Sequence, residues 1–124
     1  MAYNNPISAS YTVAAATIST AATLLTIIGP KGYKGRLAGI GGVVTTSTTD
    51  AATVIAVGSA SDADKYGTLS IPVATAGASA AYNNATISDI DDNIMPADTA
   101  VLLSTGGEST AGAATITVYI DWFK

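Results

Sequence analysis

The sequence TITVYIDW, residues 115–122, alternates between polar and apolar side chains at every position. Successive side chains of a β-strand point to opposite faces of a sheet, so the alternation predicts a strand that is buried on one face. The predicted buried face carries Ile116, Val118, Ile120 and Trp122, and the exposed face carries Thr115, Thr117, Tyr119 and Asp121. This is the clearest strand of the chain.

Similar patterns recur along the sequence. GTLSIPV at 67–73 alternates with Leu69, Ile71 and Val73 inward, and Pro72 predicts an edge position because proline cannot donate to a ladder. SDIDDNIMP at 88–96 predicts one helical turn that ends at its proline. Further strands are predicted at 11–18, 23–28, 36–45, 53–57 and 99–104, with a weaker one at 85–90.

The number and spacing of these segments predict the fold class. They amount to about eight short strands separated by Gly, Asn, Asp and Ser, and no segment keeps a helical period. We therefore predict an all-β fold, a single antiparallel β-sandwich that is jelly-roll-like. The predicted organisation is an N-terminal segment at 1–20, which combines an extended arm with the first strand, and a sandwich domain at 21–124.

Composition excludes several classes of function. The chain of 124 residues has a net charge of −4, so it lacks the basic excess that nucleic-acid binding requires. It has no cysteine and no histidine, which removes thiol chemistry and the commonest general base. The longest apolar run, LLTII at 24–28, is too short to span a membrane. We predict a protein that is not an enzyme and binds neither membrane nor nucleic acid.

The segment GPKGYKG at 29–35 has glycine at every third position. The repeat stops too soon for collagen, and its spacing does not match a phosphate-binding loop. We predict a hairpin turn in which glycines supply positive φ and the flanking apolar runs pair. Lys31 and Lys34 in this segment and Arg36 directly after it are three of the five basic residues, and the alternatives are a patch that docks an acidic partner and a solvated turn.

Acidic loops raise the question of a metal. DADKYG at 62–67 begins like a calcium loop, and DIDDN at 89–93 would add further oxygen ligands if the two loops met. Position 73, where a calcium loop needs glutamate, is valine, so turn-forming Asp and Asn are the favoured interpretation. We assign no catalytic residue, no cofactor and no metal ligand.

The alternation of the last strand directs Phe123 outward. An outward phenylalanine is either a subunit contact or a side chain that a neighbouring loop covers. Together with the basic turn it forms the predicted partner-contact set: Lys31, Tyr33, Lys34, Arg36 and Phe123.

Three stretches together resemble a known group of proteins: GPKGYKGRL at 29–37, ASDADKYGTLSIP at 60–72 and MPADTAVLLSTGGESTAGAATITVYIDWF at 95–123. They are similar to capsid decoration, or cement, proteins and related small head proteins of tailed bacteriophages. The resemblance implies a β-sandwich or jelly roll that is made in the host cytoplasm and sits on the capsid surface of the virion. It also implies the major capsid protein as partner and a homo-oligomer, with a trimer favoured.

The resemblance implies a mechanical function, in which the protein stabilises the capsid by bridging major capsid subunits. Two alternatives share the predicted fold. One is a receptor- or glycan-binding module of a phage fibre or spike, and the other is a tail or neck component.

Overall fold

The structure is a computed structural model that describes residues 7–73, 81–82, 86–87 and 94–124. The described residues form two antiparallel sheets and no helix, which confirms the predicted all-β class. Seven strands have five to thirteen residues and two have only two residues. The strands are β1 Ile7–Thr17, β2 Ala22–Ile27, β3 Lys34–Thr46, β4 Thr53–Gly58, β5 Gly67–Ile71, β6 Ala81–Tyr82, β7 Thr86–Ile87, β8 Val101–Thr105 and β9 Ala113–Phe123.

Each of the two sheets combines strands from distant parts of the chain. One sheet has the order β1-β9-β3-β6 and the other the order β2-β8-β4-β5-β7. Every pairing between neighbouring strands is antiparallel. The two sheets pack face to face over one hydrophobic core, so the molecule is a β-sandwich.

Strand β9 lies between β1 and β3 and supplies the centre of the core. Its inward side chains are at most 1% exposed, whereas Tyr119 on the outward face is 47% exposed, as the alternation predicts. Burial of each large apolar side chain stabilises the fold by about 1.5–3 kcal/mol. The opposing sheet contributes Ile55, Leu69, Ile71 and Leu103, all with no exposed surface.

Strand β5 departs in part from its prediction. Leu69 and Ile71 are buried as expected, but Val73 is 55% exposed because the strand ends at Ile71, before Pro72. The predicted edge position is wrong at Gly67 and Thr68, which pair with β7, but residues 69–71 pair only with β4 among the described residues. Pro72 follows directly after this end of the strand, where proline is tolerated.

The hairpin predicted around GPKGYKG is wrong. Strands β2 and β3 flank this segment but lie in different sheets, β2 beside β8 and β3 beside β9. The segment is a corner that carries the chain from one layer of the sandwich to the other. Local sequence predicts the turn, but the pairing of each strand is decided by distant residues.

Two other predictions concern the chain start and the acidic segment. Within the predicted N-terminal segment 1–20, residues 7–17 form β1 inside the sandwich and Ile18 is fully buried, while residues 1–6 lie outside the described residues. The domain boundary after residue 20 stays a prediction.

Most of the helical turn predicted at 88–96 also lies outside the described residues, and Met95 forms a β-bridge with Gly35. Within the described part of the chain, no helix is long and apolar enough to cross a membrane.

Candidate partner-binding site

All five lysine and arginine residues lie at one end of the sandwich. Lys34 is opposite Phe123, Ile27 is opposite Val101, and Gly58 is opposite Leu102, so the neighbouring loops share this end. We call it the basic end, formed by residues 28–36, 59–66, 94–100 and 121–124. It carries Lys31, Lys34, Arg36, Lys65 and Lys124 together with Asp62, Asp64, Asp98 and Asp121.

The cations concentrate on the side of the end formed by β3 and β9. We call Lys31, Lys34, Arg36 and Lys124 the basic patch. Only two of the described carboxylates, Asp98 and Asp121, lie on the same side, and both accept hydrogen bonds from neutral groups. In an acidic chain this arrangement makes a local positive surface.

The turn beneath the basic patch is built by glycine. The Tyr33 amide donates to the Pro30 carbonyl at 3.0 Å, and Gly32 has a φ of 80°, the value that the third position of a type II turn requires. The Gly32 amide donates to Asp98 Oδ1 at 3.0 Å, which ties the turn to the loop before β8. Lys31 is exposed at the second position of the turn.

The other two glycines of GPKGYKG hold the Trp122 ring. A Cβ on Gly29 would lie 2.5 Å from the indole, and one on Gly35 would lie 2.6 Å from it, so any side chain would displace the ring. Trp122 is 1% exposed, and its Nε1 donates to the Tyr11 hydroxyl at 2.8 Å. The ring is held in the core, beneath the turn that carries Lys31.

Two other aromatic rings, those of Phe123 and Tyr33, lie against cations of the basic patch. The Arg36 Cζ lies 5.4 Å and the Lys34 Nζ 6.0 Å from the centre of the Phe123 ring. The Lys124 Nζ lies 5.3 Å from the centre of the Tyr33 ring. These distances are in the range of cation–π attraction, which limits the freedom of the long side chains.

The structure therefore brings together part of the predicted contact set. Lys34, Arg36 and Phe123 meet because Lys34 is directly opposite Phe123 on adjacent strands. Phe123 is half-buried, and Lys34 and Arg36 of the neighbouring strand approach its ring. Sequence reasoning missed Lys124, whose contact with Tyr33 joins residues that are far apart in the chain.

Arg36 has an unmatched donor. Its Nε is buried and has no hydrogen-bond acceptor among the described residues. Arg36 lies opposite Asp121, but Asp121 Oδ1 accepts from the Ser8 hydroxyl at 3.0 Å. The guanidinium lies over the Phe123 ring.

The opposite end of the sandwich has a different chemistry. We call it the hydroxyl end, formed by the loops 47–52 and 106–112. The Ser109 hydroxyl donates to the Thr49 carbonyl at 2.9 Å and accepts from the Thr49 amide at 3.0 Å. The Ser109 amide donates to Thr53 Oγ1 at 2.9 Å. The charged residues at this end are Asp50 and Glu108, both acidic.

A shallow groove lies on the outer face of the sheet that contains β1, β9 and β3. Its volume is about 400 Å³, and Tyr119 stands in it with half of its surface exposed. The groove borders the basic patch, because it includes Asp121 opposite Arg36. The lining residues are Ser8, Ala9, Ser10, Ala38, Tyr119 and Asp121.

The loop with the calcium-like sequence forms a tight turn. The Asp62 carbonyl accepts from the amides of Ser59 at 2.8 Å and Lys65 at 3.3 Å. Burial raises the pKa of the Tyr66 hydroxyl above its usual value. The second acidic loop, 89–93, lies outside the described residues, and within the described part of the chain no three acidic side chains come together.

Comparisons of the chain with protein-family models, with curated proteins and with solved structures gave no match.

Proposed function

We propose that the sandwich is a jelly roll. A jelly roll is a long antiparallel hairpin rolled into two sheets, and its strands pair first with last, second with second-last and so on inward. The order here supports this topology, with pairs β1–β9, β2–β8, β3–β6 and β4–β5. The two-residue strand β7 is an addition at the edge beside β5.

We propose that the protein is a non-enzymatic structural protein of a phage virion. In this proposal it binds the outside of the capsid and stabilises it by bridging major capsid subunits. Jelly rolls are common in viral shells, and the sequence resembles capsid decoration proteins. The observation that carries the proposal is the basic patch, a positive surface whose cations lie against the Phe123 and Tyr33 rings at one end of an acidic molecule.

The physical basis is selective binding of the assembled shell. A protein that binds assembled subunits and not free ones stabilises assembly by mass action. Contact between the basic patch and an acidic capsid surface gives charge complementarity, while the acidic hydroxyl end points away and disfavours binding in the reverse orientation. Repetition over the shell multiplies a modest contact through multivalency.

The test mixes the purified protein with empty phage capsids and measures the copies bound and the temperature of capsid rupture. We expect saturable binding that raises the rupture temperature and weakens as salt is added. Absence of binding by the natural protein would overturn the proposed function.

A charge variant tests the role of the basic patch. We expect the triple change Lys31→Ser, Lys34→Ser and Arg36→Ser to reduce capsid affinity at least tenfold, which corresponds to about 1.4 kcal/mol. The matched control Ala51→Asp, Ala52→Asp and Ala111→Asp lowers the net charge by the same amount at exposed positions of the hydroxyl end. Equal loss of binding in both variants would mean that net charge matters and the basic patch does not.

The groove at Tyr119 favours a second candidate, a glycan-binding module of a fibre or spike. An exposed aromatic face can stack on a sugar ring, and the nearby serine hydroxyls and the Asp121 carboxylate can bond its hydroxyls. The two candidates differ in copy number per virion, because a shell protein approaches the number of capsid subunits and a fibre protein does not. Saccharide binding that Tyr119→Ala abolishes, without capsid binding, would favour this candidate.

A further inference from the structure

Strand β1 is a long, uncharged edge of the sandwich. It has 11 residues, pairs with β9 along one side, and has no strand on its other side within the described part of the chain. An edge strand leaves a row of backbone donors and acceptors open to another strand, and natural proteins usually protect such edges with charge or proline. β1 contains neither.

The hydrophobic core is incompletely covered on the same side of the molecule. Seven hydrophobic residues pack against the core while keeping part of their surface exposed, and five of these belong to β1 and β2. These five residues are Ala9, Tyr11, Val13, Leu24 and Leu25. The pattern is expected where another layer of protein completes the core.

Charge limits which partner fits this side. Residues 1–30 contain no Asp, Glu, Lys or Arg, although the chain as a whole has a net charge of −4. A charged peptide would gain no ion pair here. A second copy would meet an equally neutral surface, so the repulsion between two acidic molecules is weakest in this orientation.

We propose that residues 7–13 of β1 pair antiparallel with the same residues of a second copy, with a two-fold axis at Ser10. This register places Ile7 opposite Val13 and Ser8 opposite Thr12. Antiparallel self-pairing about one residue keeps each side chain on its own face of the sheet. Polar side chains then meet polar ones on the outer face, and apolar side chains meet apolar ones toward the core.

The bulge in β1 sets the length of the paired segment. The register with β9 shifts between Val13 and Ala16, and Ala15 has a φ of 47°. Such a bulge increases the local twist and turns the following edge away from a straight partner. The regular part of the strand is therefore 7–13, and Ser10 is its midpoint.

The proposal goes beyond the proposed function and is tested without capsids. Sedimentation velocity or light scattering of the isolated protein should give twice the chain mass of 12.3 kDa at high concentration and one chain mass on dilution. A monomer at every concentration would overturn the proposal. A trimer, which the resemblance implies, would also overturn it, because a two-fold axis joins only two copies.

A lysine at the axis should separate the two copies. In Ser10→Lys two ammonium groups would be directly opposite each other, and we expect at least a tenfold weaker dimer. The control Val43→Lys adds the same charge on the outer face of β3, where the side chain is already 44% exposed, and should leave the dimer intact. Equal effects of the two variants would contradict a pairing at β1.

A cysteine at the same position tests the register without disturbing the fold. The chain has no cysteine, so Ser10→Cys introduces a single thiol for each copy. Directly opposite residues in antiparallel strands approach closely enough for a disulfide, and mild oxidation should yield a covalent dimer. The control Val43→Cys should stay uncrosslinked. A dimer in which Ser10→Cys does not crosslink faster than Val43→Cys would overturn the proposed register.

Discussion

The two ends of the sandwich are held together by different forces. At the basic end, Trp122 lies between two glycines, and cations pack on the half-buried rings of Phe123 and Tyr33. At the hydroxyl end, Ser109 and its threonine neighbours close the loops with short-range hydrogen bonds. One end depends on close packing around the Trp122 ring and presents cations, whereas the other depends on hydrogen bonds around the buried Ser109 hydroxyl.

This difference shows that, in a chain with few charged residues, the groups that stabilise the loops are not the charged groups that are available to a partner. The Trp122 contacts at the basic end are buried and do not use the cations, so the lysines and the arginine are available for a partner. At the hydroxyl end, Ser109 and Thr53 bond to each other and to the loops, and both are at most 1% exposed. Changes at each end should therefore have different consequences.

The largest effect is expected where glycine leaves room for the Trp122 ring at the basic end. Gly35→Ala places a methyl group 2.6 Å from Trp122 and 2.9 Å from the Met95 sulfur, so the core must shift. We expect a loss of about 3 kcal/mol in the free energy of unfolding. The control Gly39→Ala, on the same strand, meets its nearest atom at 3.6 Å and should cost much less. Denaturant titration followed by Trp122 fluorescence measures both, and equal losses would show that the indole contact is not the cause.

The next largest effect is expected at the hydroxyl end. Ser109→Ala removes the hydroxyl that both accepts from the Thr49 amide and donates to the Thr49 carbonyl. Buried groups left without partners cost about 2 kcal/mol in the free energy of unfolding. Ser70→Ala, at an exposed position of β5, is the control. Thermal or denaturant melts that cannot distinguish the two variants would contradict the role given to Ser109.

A smaller effect is expected from the polar contact beneath the basic patch. Tyr11→Phe leaves the Trp122 indole N–H without its acceptor and should reduce the free energy of unfolding by about 1 kcal/mol. The emission of the single tryptophan should change in the folded state as well. Tyr119→Phe removes an exposed hydroxyl and serves as the control. Unchanged emission and stability in Tyr11→Phe would mean that the bond contributes nothing.

The smallest effect on stability is expected for the charges themselves. The triple change Lys31→Ser, Lys34→Ser and Arg36→Ser should alter the free energy of unfolding by only about 0.5 kcal/mol, because Lys31 and Lys34 are exposed and the partly buried Arg36 has an unmatched Nε donor. Capsid affinity should fall in the same variant, which separates recognition from folding. A large loss of stability would show that the cation–aromatic contacts are structural.

Sequence reasoning predicted the positions of the strands more reliably than their pairing partners in the sheets. The alternation in β9 predicts both its existence and its buried face, since side-chain direction in a strand is a local property. The pairing around GPKGYKG was predicted wrongly, because β2 and β3 take partners from distant parts of the chain. The two-residue strand β6 was missed, since so short a segment has no period to detect.

The candidate site, like the fold, was predictable only in part. The cluster of basic residues in 31–36 is visible in the sequence, and β9 predicts an outward Phe123. The contact between Lys124 and Tyr33 was not predictable, since it depends on which strands lie side by side. The glycines illustrate the same point, because their spacing suggests a turn but does not show that two of them pack on an indole.

By itself the sequence determined an all-β chain with one apolar face for each strand and a positive segment in an acidic protein. These are properties of composition and of a two-residue period, and they need no knowledge of distant contacts. Only the tertiary structure decided that all five cations share one end and that Trp122 meets a hydroxyl 111 residues away in the chain. The physical reason is that antiparallel pairing joins segments far apart in sequence, and burial of the shared core selects the pairing.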